Sequence, residues 1–299
     1  MLVVRKWLLI LPPFLWLLVF FGVPFAFVAK IAMSDSTLAM PPYLPVFDPS
    51  AGWNGLKAFV GQLHFDNFRI VLADNIYIEA YLNSIGIAFV ATFLSLVFGY
   101  PIAYAIASSP QKWKPALIMA INLPFWTSFL IRIYAWIVLL SKEGVINHLL
   151  ISLGVISEPL PILNTTFAVY IGMVYAYIPL MIFPIYATLE KLDTSIYEAA
   201  RDLGCSRIGA FFRVTLPLSL PGIFGGCFLV FIPMTGEYVI PSLLGNTGVP
   251  MIGRVLWDEF FINNDWPLAS AISVLLLVLL VVPIILYQFY RQRREEQQT

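Results

Sequence analysis

The sequence predicts an all-α membrane protein with six transmembrane helices, and three observations carry that prediction. Apolar residues make up 60% of the 299-residue chain and charged residues only 11%, with a mean hydropathy of +0.85. A soluble domain is nearer about half apolar and a quarter charged. Six stretches are long enough to cross about 30 Å of hydrocarbon at roughly 20 residues each. Basic residues are shared unequally between the two sets of loops that these stretches define.

The spans run approximately over 7–29, 82–107, 116–140, 167–189, 222–244 and 268–290, within a single transmembrane domain over 1–299. The first is longer than the apolar core of a signal peptide. Phe27 stands where a cleavage site needs a small residue, so the segment reads as an uncleaved anchor. Between the first two spans, the run MPPYLPVFDP at 40–49 favours extended backbone. Residues 65–81 then carry Phe68, Leu72 and Ile76 at helical spacing. Short amphipathic helices are expected at 144–154 and 253–262. These outer segments either form a platform for an external partner or cover the bundle.

Orientation follows from the cations. Arg5, Lys6, Lys112, Lys114, Lys191, Arg201, Arg207, Arg213, Arg291, Arg293 and Arg294 fall on one side, against Lys57, Arg69, Lys142 and Arg254 on the other. Both termini and the loop at 190–220 are therefore expected in the cytosol. The opposite side carries Asp35, Asp48, Asp66, Asp74, Glu79, Glu143, Glu158, Asp258, Glu259 and Asp265. That balance favours cationic solutes near the mouth by steering. It is equally the positive-inside rule seen from the other face.

The cytosolic loop is written as structure. Ser195 and Glu198 have capping-box spacing, so a helix is expected from Ile196. Ala199 and Ala200 favour the helix and leave a bare surface, and Gly204 suits the left-handed position after its end. Ser206 caps a second helix with Ile208, Phe211 and Phe212 on its apolar side. Pro217 and Pro221 are expected to stop that helix before the next span. Local chemistry alone leaves two readings, a docking device and an amphipathic helix lying on the bilayer.

Two ionisable residues lie within the spans, where charge is costly and marks function or pairing. Arg132 is sixteen residues beyond Ala116, and Glu237 sixteen beyond Pro221. On straight helices both sit about 24 Å above the cytosolic face. Equal depth and opposite sign point to an ion pair between Arg132 and Glu237. The other reading has Glu237 facing a pathway beside Trp126, Ser128 and Tyr238, where aromatic faces and a carboxylate suit an alkylammonium. The two readings coexist if the pair opens during transport. Interfacial anchoring accounts for Trp136 and Trp266 better than for Trp126.

Other chemistry is absent from the pattern. Net charge is zero, which gives nucleic acid no footprint, and two cysteines, Cys205 and Cys227, make no disulfide framework. His64 and His148 stand alone in outer loops, far from any Cys or second His, so no metal site is expected. The dipeptide Gly-Lys does not occur, so the chain has no phosphate-cradling loop of its own. No catalytic constellation points to an enzyme.

The spacing of Glu198, Ala199, Ala200, Gly204, Val214, Leu216 and Pro217 resembles the EAA loop of ABC importer permeases, with Val214 where isoleucine is commoner. The runs LPFWTSFLIRIYAW (123–136), AVYIGMVYAYIPLMIFPIYATLEKLD (168–193), GEYVIPSLLG (236–245), MIGRVLWDEFF (251–261) and NDWPLASA (264–271) are similar to permeases of polyamine ABC importers, especially the putrescine-type subunit. The resemblance covers nearly the whole chain. It implies a bacterial inner-membrane subunit paired with a second permease, a paralogue, and served by two ATP-binding subunits and a periplasmic polyamine-binding protein. It implies that the partner ATPases bind ATP and Mg, that this chain binds no cofactor, and that the loop docks on them. Two alternatives remain: an importer permease for another small solute, and a secondary transporter, against which the loop and the lack of an inverted repeat both argue.

Overall fold

With no water to satisfy its polar groups, backbone in lipid folds as helix, and the apolar runs do so here. A computed structural model describes residues 2–46, 52–245, 248 and 250–296. Residues 47–49 of the proline-rich run, Asp48 among them, lie outside the described residues. The helices are α1 (Leu2–Leu17), α2 (Val23–Ala32), α3 (Gly52–Gly61), α4 (Asp66–Ala73), α5 (Asn75–Ala107), α6 (Lys114–Asn122), α7 (Phe129–Leu140) and α8 (Val145–Ser152). They continue with α9 (Thr166–Leu189), α10 (Thr194–Asp202), α11 (Arg207–Ala210), α12 (Leu216–Thr235), α13 (Val239–Leu244), α14 (Ile252–Trp257) and α15 (Trp266–Glu296). Strands β1 (Asp35–Ser36) and β2 (Tyr43–Leu44) pair antiparallel. Among the described residues, five helical stretches are long and apolar enough to cross a membrane. A sixth span is counted if the bent pair Lys114–Trp126 and Phe129–Ser152 is taken as one.

Contacts gather the chain into two units, 1–79 with 255–299, and 80–254. In the first, α2 and α4 pack against α15. The outer segment is tied down by polar contacts. The buried Asn67 amide donates to the carbonyls of Ala32 (3.0 Å) and Ser34 (2.8 Å). His64 Nε2 meets Asp35 Oδ1 at 2.8 Å, and Lys30 Nζ lies 4.0 Å from the Tyr43 ring centre. The single helix expected over 65–81 is divided. Asp74 adopts extended backbone after α4, and its Oδ1 accepts the Ile76 N–H at 2.9 Å, starting α5.

The second unit is built on α9 and α12, crossing closely where glycine replaces a side chain. A Cβ on Gly222 would lie 2.5 Å from Thr188 Oγ1 and 2.7 Å from the Pro184 carbonyl oxygen. One on Gly226 would lie 3.0 Å from the Met181 carbonyl oxygen. Small residues permit such approach where lipid is as apolar as the side chains. Met173, Met181, Ile182 and Ile185 of α9 meet Val230 and Met234 of α12 in a core that also takes Ala88, Ala91 and Ala103 from α5.

Two expected spans are not continuous helices. The span expected over 116–140 breaks after α6. Leu123–Trp126 form a 3-10 turn, Thr127 and Ser128 have ψ of 154° and 135°, and the two arms meet at 87°. Pro124 supplies no N–H, and the Thr127 hydroxyl returns to the Pro124 carbonyl at 2.7 Å, satisfying backbone at the break. The span expected over 222–244 also breaks. Its helix begins at Arg207, ends at Thr235 and is followed by the separate α13. Equal rise along straight helices therefore does not set Arg132 and Glu237 at one depth. Pro217 and Pro221 do not stop the loop's second helix either. A π-helical turn at Phe211–Thr215 leads into α12 without a break, and Pro217 and Pro221 lie inside the continuous helix Arg207–Thr235. The Ser219 hydroxyl takes the Leu216 carbonyl at 2.8 Å.

Candidate functional site: a docking loop and a pair of helix breaks

The loop departs from α9 at Glu190, whose carboxylate pairs with Lys114 Nζ at 2.7 Å, tying the start of α6 to the end of α9. Asp193 caps α10: its Oδ1 accepts the Ser195 N–H at 2.9 Å. That bond holds the Asp193 carboxyl below its usual value, because the backbone N–H favours the ionised form. The helix thus starts at Thr194 under Asp193, not at Ile196 under Ser195. The expected box is displaced because an aspartate two residues upstream caps the helix earlier, on the Ser195 N–H.

Helix α10 ends as the glycine requires. Gly204 has φ of +88°, Cys205 N–H returns to the Ala200 carbonyl (3.1 Å) and Gly204 N–H to the Arg201 carbonyl (2.9 Å). This is a Schellman motif. Ser206 then caps α11, accepting the Gly209 N–H at 3.0 Å. Glu198 and Ala199 are exposed and Ala200 is half-buried; Pro217 is exposed, and Leu216 packs against the core. The apolar side divides in two. Leu203 (88% exposed), Ile208 (73%) and Phe212 (59%) face outward, while Phe211 turns in, edge-on to Tyr100 and Tyr104 with centroids 5.8 and 5.5 Å away. Exposed apolar residues clustered on a capped helix–turn–helix mark a surface for a protein or a bilayer to cover.

The second region lies at the two breaks. Glu237 is buried between α12 and α13. Its Oε1 accepts the N–H groups of Tyr238 (3.2 Å), Val239 (2.9 Å) and Ile240 (3.4 Å), and its Oε2 accepts the Tyr177 hydroxyl of α9. Negative charge at the start of α13 is also favoured by the helix dipole. Arg132 lies in the first turn of α7, its guanidinium 4.9 Å from the Phe125 ring centre and 5.7 Å from that of Phe129. Its Nε and Nη1 are buried without a hydrogen-bond partner. Among the described residues Arg132 and Glu237 form no ion pair, because the carboxylate is already taken up by Tyr177 and the α13 amides. Trp126 (70% exposed) and Ser128 lie on the exposed break before α7. Tyr238 is half-buried beside Glu237. Sequence reasoning missed Asp193, Tyr177, the inward Phe211 and the Lys114–Glu190 tie. The Asp193-Thr-Ser195 run contained the first signal; the others depend on tertiary packing.

The site thus comprises broken spans around a buried carboxylate and a capped loop between α9 and α12. The architecture matches a chain of a bacterial ABC transporter involved in the import of the acidic polysaccharide alginate, with a TM-score of 0.63, 20% identity, and 97% of this chain and 96% of that chain covered. The model of the family described as binding-protein-dependent transport system inner membrane component matches residues 114–296, and the chain belongs to that family. It is 44% identical over 216 residues to the spermidine/putrescine transport system permease protein PotB of Haemophilus influenzae, covering 72% of this chain and 76% of the relative. It is 41% identical over 222 residues to the protein of the same name from Escherichia coli K12, covering 74% and 80%. Those names carry both polyamines, where the sequence runs pointed especially to the putrescine type.

Proposed function

We propose that this chain forms one half of the translocation pathway of an ATP-driven importer of polyamines, putrescine or spermidine. The observation that carries the reading is identity of 41–44% to permeases named for those two solutes, over nearly three quarters of the chain. A periplasmic binding protein delivers the polyamine, a paralogous permease supplies the other half, and two partner subunits bind ATP and Mg. The eleven-to-four division of cations supports both termini and the loop at 190–220 lying in the cytosol.

The geometry supports a division of labour. The outward ridge of Leu203, Ile208 and Phe212 sits on an ATPase subunit, with Glu198, Ala199 and Ala200 on the helix ahead of it. Closure of the ATPases moves α10 and α11, and the helix continuing into α12 carries that movement to the break at Gly236. Glu237, already oriented by Tyr177 and the α13 amides, offers negative charge to the passing ammonium groups, with Trp126, Ser128 and Tyr238 as further pathway contacts. Purified complex tests the whole: binding protein loaded with putrescine or spermidine raises ATP hydrolysis. A complex stimulated only by a binding protein carrying an unrelated solute overturns the polyamine reading.

A further inference from the structure

We infer that Phe211 is the positioning residue through which movement of the docking loop reaches the spans, an inference that rests on the docking reading above. Three observations carry it. Phe211 opens the π-helical turn Phe211–Thr215, in which the Leu216 N–H reaches back to the Phe211 carbonyl. Its ring stands edge-on to Tyr100 and Tyr104 of α5, at 84° and 87°. The Tyr100 hydroxyl in turn meets the fully buried Ser219 Oγ of α12 at 3.0 Å. A closed mechanical circuit results: loop, ring, α5, hydroxyl pair, α12.

What surrounds this contact gives it weight. A pocket of about 340 Å³ opens beside Tyr104, lined also by Leu192, Asp193, Tyr197 and Val214. A second, of about 560 Å³, is lined by Tyr104, Arg201, Arg207, Ile208, Phe211 and Phe212. Both pockets are open to the surface, and Phe211 lines the second of them. An open pocket gives the loop no packed neighbour there, whereas the edge-on contacts of the Phe211 ring with Tyr100 and Tyr104 do. The extra residue of the π turn is a local irregularity of the kind found at functional sites. It lies between Phe212, which is 59% exposed on the docking ridge, and the buried Thr215. Neighbouring phenylalanines thus divide two tasks, Phe212 meeting the ATPase and Phe211 meeting the spans.

The test uses the complete complex in proteoliposomes, with both permeases, the ATPase subunits and the loaded binding protein. Phe211→Ala is expected to keep the ATPase subunits bound and the basal hydrolysis intact, while solute taken up per ATP falls about ten-fold. Phe211→Tyr, whose added hydroxyl has the adjoining cavity to enter, restores the ratio. Phe212→Ala is expected to weaken retention of the ATPase subunits instead. An unchanged ratio in Phe211→Ala overturns the inference, and so does loss of uptake strictly in proportion to lost ATPase subunits. If Phe211→Ala is not recovered from membranes, Phe211→Leu carries the same comparison with the ring removed and most bulk kept, and a wild-type ratio there is equally fatal. Full retention of ATPase subunits by Phe212→Ala and by variants of Leu203 and Ile208 strikes the docking reading itself, which is a separate failure.

Discussion

Replacing Glu237 by glutamine separates holding the helix break from serving a cation. The carboxylate accepts three backbone N–H groups at the start of α13 and the Tyr177 hydroxyl. Glutamine keeps a carbonyl oxygen for the amides, and its NH2 donates to a Tyr177 hydroxyl that turns to accept. What is lost is charge assistance: hydrogen bonds to charged groups are worth about 1.5–3 kcal/mol against about 0.5–1.5 for neutral ones. The 3.2 and 3.4 Å amide contacts are long, so the loss falls mainly on Val239 and Tyr177 and comes to roughly 2 kcal/mol. Glu237→Ala abandons all the donors, at about 1–3 kcal/mol for each left buried. Thermal unfolding in detergent should therefore place glutamine several degrees below wild type and alanine well below both. Uptake should follow another order. A lost ion–ammonium interaction of about 1.5–3 kcal/mol lowers polyamine uptake roughly ten-fold or more in Glu237→Gln, although the protein is folded. Wild-type uptake by a normally folded Glu237→Gln refutes the pathway role and leaves Glu237 as a helix cap.

Three further outcomes are expected. Arg132→Met, similar in length, should not destabilise the protein, since the buried Nε and Nη1 give up no partner; a loss of about 3–5 kcal/mol is what breaking a true buried pair costs, and finding it would restore the pairing with Glu237. Gly204→Val should impair coupling or assembly through backbone strain alone, about 1–3 kcal/mol, because φ is +88° while the space around a Cβ is open. Gly204→Asn should be milder, and wild-type ATPase stimulation in the valine variant contradicts this. A cysteine placed within 141–165 should react with an impermeant reagent in intact cells and one within 190–215 should not; the reverse pattern inverts the orientation.

What could be read ahead of the structure was what neighbouring residues decide among themselves. Gly204 and Ser206 behave as their types dictate, because a helix end and a cap are settled within five residues. The first cap is displaced to Asp193 since two cap candidates lie two residues apart, and spacing alone does not choose between them. Span existence followed from apolar length, but span continuity did not. Pro124 and Gly236 are visible as loosening residues, yet a full break needs the Thr127 hydroxyl and the Glu237 carboxylate to satisfy the freed backbone. The Tyr177–Glu237 bond joins residues 60 apart. Since the depth argument assumed straight helices, it paired Glu237 with the wrong partner. The division of Phe211 from Phe212 depends on a π turn, whose one-residue shift a helical period of 3.6 does not anticipate.

The most direct test of the account is uptake itself. The complex of this chain, its partner permease, the ATPase subunits and the binding protein is reconstituted in vesicles with ATP inside or outside, and labelled putrescine, spermidine, a neutral sugar and a phosphonate are compared. Accumulation of the two polyamines, dependent on ATP on the face that carries the 190–220 loop and abolished by a hydrolysis-dead ATPase, is the predicted result. Polyamine accumulation that persists without ATP, or ATP-dependent accumulation of the sugar or the phosphonate in place of the polyamines, contradicts it.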